Sequence, residues 1–133
     1  MSLQVCIMIP ERVFLEKEVE EIVLPTNTGQ MGVLKNHASL VTALEVGVML
    51  LRSKGEWSLL ALLGGFAIVK DNKVTILVNQ AESPDTVDPA QAEQAFLNAQ
   101  KRLTELSTQK EKVEANFVFK RARARFQLVK KNK

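Results

Sequence analysis

At about residue 84 this chain changes its periodicity, and no single packing unit accommodates both halves. Up to Ala81 it reads as short apolar runs punctuated by Gly, Asn and Pro; from Asp88 onward the apolar residues recur at helical heptad spacing. A period of two buries one face of a sheet, whereas a period near 3.6 buries a stripe of a helix. The chain is therefore expected to hold a β domain over residues 1–84 and a helical part over residues 85–133. Charge divides near the same place. Residues 110–133 carry nine Lys/Arg against Glu111 and Glu114, a net of +7, while the other 109 residues carry nine basic and thirteen acidic groups, a net of −4. The modest overall +3 hides an acidic body and a basic helical arm, a separation that suits a polyanionic or acidic protein partner held away from the body.

The first 80 residues predict strands and little else. Leu3, Val5, Ile7 and Ile9 share one face until Pro10 ends the run. Glu18–Leu24, Leu40–Leu44, Gly47–Arg52, Trp57–Leu63, Phe66–Val69 and Val74–Val78 are further β-rich stretches. Ser53-Lys54-Gly55-Glu56 reads as a hairpin loop, and Asp71-Asn72 can take the positive φ of a tight turn. Turns recurring about every ten residues, without helical periods between them, predict an antiparallel sandwich or barrel. A parallel sheet would need crossover helices, for which there is no room.

The helical part begins with readable caps. Asp88-Pro89-Ala90-Gln91 places Asp at N-cap, Pro at N1 and Gln at N3; Thr108-Gln109-Lys110-Glu111 repeats the capping pattern. Ala92, Phe96, Ala99, Leu103 and Leu106 make one seam, and Ala115, Phe119, Ala122, Phe126 and Val129 make its counterpart. Two helices joined by so short a link run antiparallel. Val113, Phe117, Ala124 and Leu128 form a second stripe that the first helix cannot cover. The hairpin is thus expected to lean on its own body, on a partner, or on each at different times.

Function classes are excluded as cleanly. His37 is the only histidine and Cys6 the only cysteine, so a His- or Cys-cluster metal site is excluded and no internal disulfide can form. Cys6 lies mid-strand and is expected to be buried. The hydroxyls show no nucleophile–base pattern, and no phosphate-cradling P-loop is present. Glu18, Glu20 and Glu21 read as a solvated strand edge, and Gly64-Gly65 as a bend between strands. No apolar run approaches the ~20 residues that cross a bilayer, and no basic leader or transit segment is visible, so synthesis is expected in the compartment where the protein works. No catalytic residue and no cofactor is expected.

The most specific local signal is Thr26-Asn27-Thr28-Gly29-Gln30-Met31-Gly32-Val33-Leu34-Lys35-Asn36-His37-Ala38, preceded by Glu21-Ile22-Val23-Leu24-Pro25. With Gly64-Gly65-Phe66-Ala67, Val74-Thr75-Ile76-Leu77-Val78, and Val113-Glu114-Ala115-Asn116 followed by Arg121-Ala122-Arg123, it resembles the epsilon subunit of F-type ATP synthases over essentially the whole chain, most closely the chloroplast and green-algal branch. The resemblance implies a ten-stranded β-sandwich followed by the helical hairpin, placed in the rotor's central stalk. It implies that the sandwich binds the gamma subunit and stands on the membrane ring of c subunits, with Gly29, Gln30, Met31 and His37 at the ring-facing end. Gln30 stands where relatives are often acidic, so a hydrogen bond would replace a charge pair there. It implies that the hairpin can extend along gamma and restrain ATP hydrolysis, with Lys120, Arg121, Arg123 and Arg125 meeting acidic beta-subunit groups. An ATP site known in some bacterial relatives is not expected, because Gln91 stands where the arginine should be and lacks its charge and planar fork. The implied location is the stromal side of the chloroplast thylakoid membrane, or a cyanobacterial thylakoid, with membrane association only through the complex. The alternative reading is a nucleic-acid-binding module using the basic helix on phosphates. It leaves the acidic body and the loop unexplained, and with no Tyr and one Trp the sandwich makes a poor stacking platform.

Overall fold

The computed structural model describes residues 2–105 and 108–130. Eight strands come first: β1 (Leu3–Ile9), β2 (Arg12–Val19), β3 (Glu21–Thr26), β4 (Gly29–Leu34), β5 (Leu40–Ser53), β6 (Glu56–Lys70), β7 (Lys73–Val78) and β8 (Ala81–Glu82). A 3-10 turn at Pro84–Thr86 leads to helices α1 (Pro89–Glu105) and α2 (Gln109–Lys130). The expected Leu106 seam position, and Lys131 and Lys133 of the basic arm, lie outside the described residues.

β5 and β6 organise everything else. Where the sequence suggests four short strands, they form one hairpin in constant register from Leu40↔Val69 to Ser53↔Glu56, closed by the turn Lys54–Gly55 with both φ positive. The ladder has one gap, at Glu45 and Gly64, between the pairs Leu44↔Gly65 and Val46↔Leu63. On one side of the gap the hairpin pairs through β6 with β7, which continues to β1 and β2; on the other it pairs through β5 with β3, which continues to β4, and through β6 with the short β8. Counting each long strand once per layer gives five segments in each, which recovers the ten-stranded sandwich from eight continuous strands. Leu3, Val5, Ile7, Val74 and Ile76 of one layer meet Ile22, Leu24, Met49, Leu51 and Leu62 of the other in one buried core.

Three strand expectations need correction. Glu18–Leu24 is not one strand: the chain breaks at Glu20, and β2 begins earlier, at Arg12. β2 is an edge strand that pairs only with β1, so water solvates its charged face and the apolar alternation that reveals inner strands is weak. Gly29–Leu34, absent from the expected strands, is the opposite edge strand, held by six consecutive pairs to β3. Finally, β1 and β7 are parallel. No crossover helix is needed, because the intervening strands themselves carry the chain back through the sandwich.

The helices follow their caps. The Asp88 carboxylate accepts the Ala90 N–H at 3.0 Å, and Thr108 Oγ1 accepts the Glu111 N–H at 3.3 Å. Gln91 is exposed and, among the described residues, makes no reciprocal bond. The seam forms as spaced: Ala92, Ala99, Ala115, Ala122 and Val129 are buried, and Phe96 stacks on Phe119 and Phe126 with centroids 5.5 and 5.2 Å apart. α2 then lies on the outer face of the second layer, where Ala124 and Leu128 pack with Ala61, Val46, Val48 and Leu59. The second stripe is therefore half covered. Ala124 and Leu128 are buried against the sandwich, while Val113 and Phe117 remain 62% and 55% exposed.

Gly65 is the tightest point of the sandwich. Its φ is +156°, and a Cβ there would sit 2.0 Å from the Leu77 carbonyl oxygen, a backbone atom that cannot step aside. Gly65→Ala is expected to cost ~3 kcal/mol or more, by backbone displacement and loss of the β6–β7 ladder. Equilibrium urea unfolding of the two proteins measures it; a loss under ~1 kcal/mol would mean the layers separate freely at this point.

Candidate functional site

The β3–β4 hairpin tip is built by its own side chains. Thr26, almost fully buried, donates its hydroxyl to the Gly29 carbonyl at 2.6 Å and shares a hydrogen bond with Thr28 Oγ1 at 3.2 Å. Gly29 takes φ +118°, which an L side chain rarely adopts, and this turns the chain back into β4. Met31 then packs against the core, whereas Gln30 projects into solvent. Of these expected ring-facing residues, Gln30 is the one free to meet a partner.

His37 is not with them. It follows Leu34 at the other end of β4, six residues of strand away, and shares a shallow groove with the Asp71–Asn72 turn. Its Nδ1 lies 2.8 Å from the Ala38 carbonyl, and the neighbouring Asn36 N–H donates to Asn72 Oδ1 at 2.6 Å. Asn36, Asp71 and Asn72 all take positive φ, so two tight turns are tied together here. A single patch of Gly29, Gln30, Met31 and His37 is thus split by the length of a strand. Nearness in sequence overstated nearness in space because β4 is extended.

The basic arm is likewise divided. Lys120 Nζ lies 3.4 Å from Glu45, the residue at the gap in the β5–β6 ladder, and Arg125 Nε lies 3.0 Å from Glu82 of β8. These four side chains keep between 21% and 41% of their surface in solvent, so each pair contributes only ~0.2–1 kcal/mol. Arg121 is exposed, and Arg123 is exposed with its guanidinium 5.3 Å from the Phe119 ring centroid. Two of the four expected contact cations are latched to the body and two face outward. The loop and the arm also approach each other: Asn27, Gly29 and Gln30 line a groove of about 780 Å³ together with Lys120, Arg123, Gln127 and Lys130.

One surface escaped the sequence reading. Val13, Met8, Leu77, Phe66 and Ala43 are consecutive cross-strand partners over five strands of the first layer. They face outward, with Val13, Met8, Leu77 and Phe66 between 38% and 56% exposed, and Val41 and Ile68 pair beside them. The available signal was that Phe66–Val69 and Val74–Val78 are apolar on both faces, where a solvated sheet face would alternate with polar residues.

Among the described residues no group of three His, Cys, Asp or Glu could hold a metal ion, and no helix is long and apolar enough to cross a membrane. Cys6 is buried, and its thiol pKa is raised, first by burial and then by Glu16 on the neighbouring strand.

Comparison with known proteins agrees with this architecture. Residues 2–84 match the ATP synthase, Delta/Epsilon chain, beta-sandwich domain, and residues 85–130 match the ATP synthase, Delta/Epsilon chain, long alpha-helix domain. The chain is 61% identical over 129 residues to the ATP synthase epsilon chain, chloroplastic, of Oltmannsiellopsis viridis, covering 97% of this chain and 98% of the relative. It is 62% identical over 129 residues to that of Tupiella akineta, covering 97% and 99%, and 59% identical over 130 residues to that of Chlorella vulgaris, covering 98% and 97%. Its fold is similar to a chain in the Euglena gracilis mitochondrial ATP synthase, with TM-score 0.82 and 21% identity over 92% of this chain and 78% of that one. A chain in the Tetrahymena thermophila mitochondrial ATP synthase central stalk gives TM-score 0.64 and 19% identity over 99% and 96%. The nucleic-acid-binding alternative finds no support in these matches. By both its sandwich and its helices, this chain belongs to the ATP synthase delta/epsilon chain family.

Proposed function

We propose that this chain works as the epsilon subunit in the central stalk of a chloroplast ATP synthase, on the stromal side of the thylakoid membrane. The sandwich, residues 1–84, joins the rotor, and the hairpin, residues 85–133, is a detachable brake on ATP hydrolysis. The outward apolar row centred on Phe66 and Leu77 is the surface that gamma covers, since a five-strand apolar band is costly to leave in water. The projecting Gln30 at the β3–β4 tip meets the polar loops of the c-ring through hydrogen bonds. The subunit itself is non-catalytic.

The observation that carries the braking role is the way α2 is held. Its seat on the sandwich is small: Ala124, Leu128 and Val129 bury their side chains in the cluster there, and the ion pairs to Glu45 and Glu82 are partly in water. Burying one Leu contributes ~1.5–3 kcal/mol, and each such pair less than ~1, so a competing surface can displace the helix. Lifting α2 frees Lys120 and Arg125 to join Arg121 and Arg123 against acidic beta-subunit groups. It also bares Leu128 beside the already exposed Val113 and Phe117, which completes the apolar stripe for a new partner.

Two opposite mutants test this in ATPase assays of the head complex reconstituted with each protein. Arg121→Ala with Arg123→Ala removes charges that, among the described residues, make no ion pair with the sandwich, so inhibition is expected to weaken by ~2–30-fold, as for two exposed pairs. Glu45→Gln with Glu82→Gln removes the latch and keeps every cation, so inhibition is expected to strengthen by a similar factor. Changes in the same direction would rule out competition between body and beta subunit for the arm. Rising salt should weaken the brake in the Glu45→Gln, Glu82→Gln protein, where no latch remains to be screened as well, because exposed charges are screened beyond ~8 Å.

The chain truncated after Ser83 tests the division of labour. It is expected to stay folded and bind gamma while losing the brake, with some loss of stability because Val46, Val48, Leu59 and Ala61 are uncovered. Phe66→Asp in the full chain is expected to weaken gamma binding by ~30-fold or more, as at a buried hot spot. Isothermal titration with gamma reads both; unimpaired binding by Phe66→Asp would move the interface elsewhere.

A further inference from the structure

α2 covers only part of the second layer's outer face. Between the helix and the β3–β4 hairpin runs the groove of about 780 Å³, with Pro25, Val48 and Leu50 on its floor. Its wall is one face of α2, where Lys120, Arg123 and Lys130 follow each other at helical steps. We propose that this groove is a docking site for an acidic, amphipathic helical segment of a partner protein. A feature of this kind asks for two properties at once: apolar side chains for the floor and carboxylates for the wall.

The distribution of charge selects the occupant. Ten residues separate Lys120 from Lys130, which is ~15 Å along the helix, or nearly three turns. Lys120 and Lys130 cannot both reach one phosphate, whereas the row of three cations matches carboxylates spaced along a parallel helix. Their charge is also weakly compensated. Glu45 is the one acidic side chain lining the groove, and it is already paired with Lys120. Arg123 and Lys130 are exposed and held over aromatic rings, those of Phe119 and Phe126, at 5.3 and 5.7 Å. Cation–π contact orients a charge without neutralising it. The apolar floor then excludes a purely ionic ligand as the best fit.

The site exists only while the hairpin is folded, because α2 is its wall. An occupant therefore stabilises the folded hairpin in proportion to its concentration over its Kd, and opposes extension of the arm. That consequence rests on the braking role proposed above; the binding itself does not.

The test uses the isotope-labelled full chain and a synthetic helical peptide of ~14 residues, with Glu along one stripe and Leu along the adjacent one. Amide shifts are expected to saturate at Thr26, Gln30, Leu50 and Gln127. The same peptide with Lys replacing Glu should bind at least ~tenfold more weakly. Gln127→Glu with Lys130→Glu, both exposed on α2, should also weaken binding at least ~tenfold, with thermal unfolding unchanged to show that the fold survives. Pyrophosphate should give no comparable saturation. The proposal is overturned if the peptide does not saturate, if the charge-reversed peptide binds equally, or if the shifts fall on the Phe66–Leu77 face. It is also overturned if pyrophosphate saturates the same amides as tightly, which would make this a small-anion site. Because no rotor component is present, failure here leaves the ATPase results untouched, and the converse holds.

Discussion

The β5–β6 hairpin is the constraint on which the remaining structure depends. Its register is the same in both layers, on either side of the gap at Glu45 and Gly64, so every other strand takes its position from one or the other half of it. The passage between layers falls at Glu45 and Gly64, beside the one residue, Gly65, whose missing side chain admits the Leu77 carbonyl. That passage leaves a carboxylate at the edge of the outer face, where Lys120 finds it. The same hairpin presents Val46, Val48, Leu59 and Ala61 outward as the strip on which α2 lies. The folding of the body and the seat of the arm are thus set by one strand pair.

The arm's attachment is weak for a reason visible in its composition. Alanines along α2 bring the helices close, but they bury little apolar area for each turn ordered. Phe96, Phe119 and Phe126 hold the hairpin to itself through stacked rings. What holds it to the sandwich is a small apolar cluster, in which Ala92, Ala124, Leu128 and Val129 gather with Val87 and Ala61, and two partly solvated ion pairs. Such an interface is slight, which is what the proposed braking role requires. The charge segregation, acidic body and basic arm, favours the folded state.

Legibility varied with how local each signal was. Both helix caps were readable because Asp88 and Thr108 act within a few residues of themselves, and the Phe/Ala seam followed from spacing alone. The Asp71–Asn72 turn was readable for the same reason. β2 and β4 were missed or misread because edge strands lack the two-sided constraint that imposes alternation. Gln30 and His37 stand at opposite ends of β4, because a short sequence distance can be a full strand length.

By itself, the sequence determined the two-part build, the caps, the antiparallel helix pair, the absence of a His or Cys metal cluster and the separation of charge. Each of these follows from neighbours within a few residues or from composition. Only the tertiary structure decided that four apparent strands are two, that five apolar residues from five strands make one exposed row, and that α2 rests on β5 and β6. It also decided which cations are latched and which are free. The physical reason is common to all: cross-strand register and helix docking join residues dozens of positions apart, and the pairing of Lys120 with Glu45 leaves no trace in the order of residues around either one.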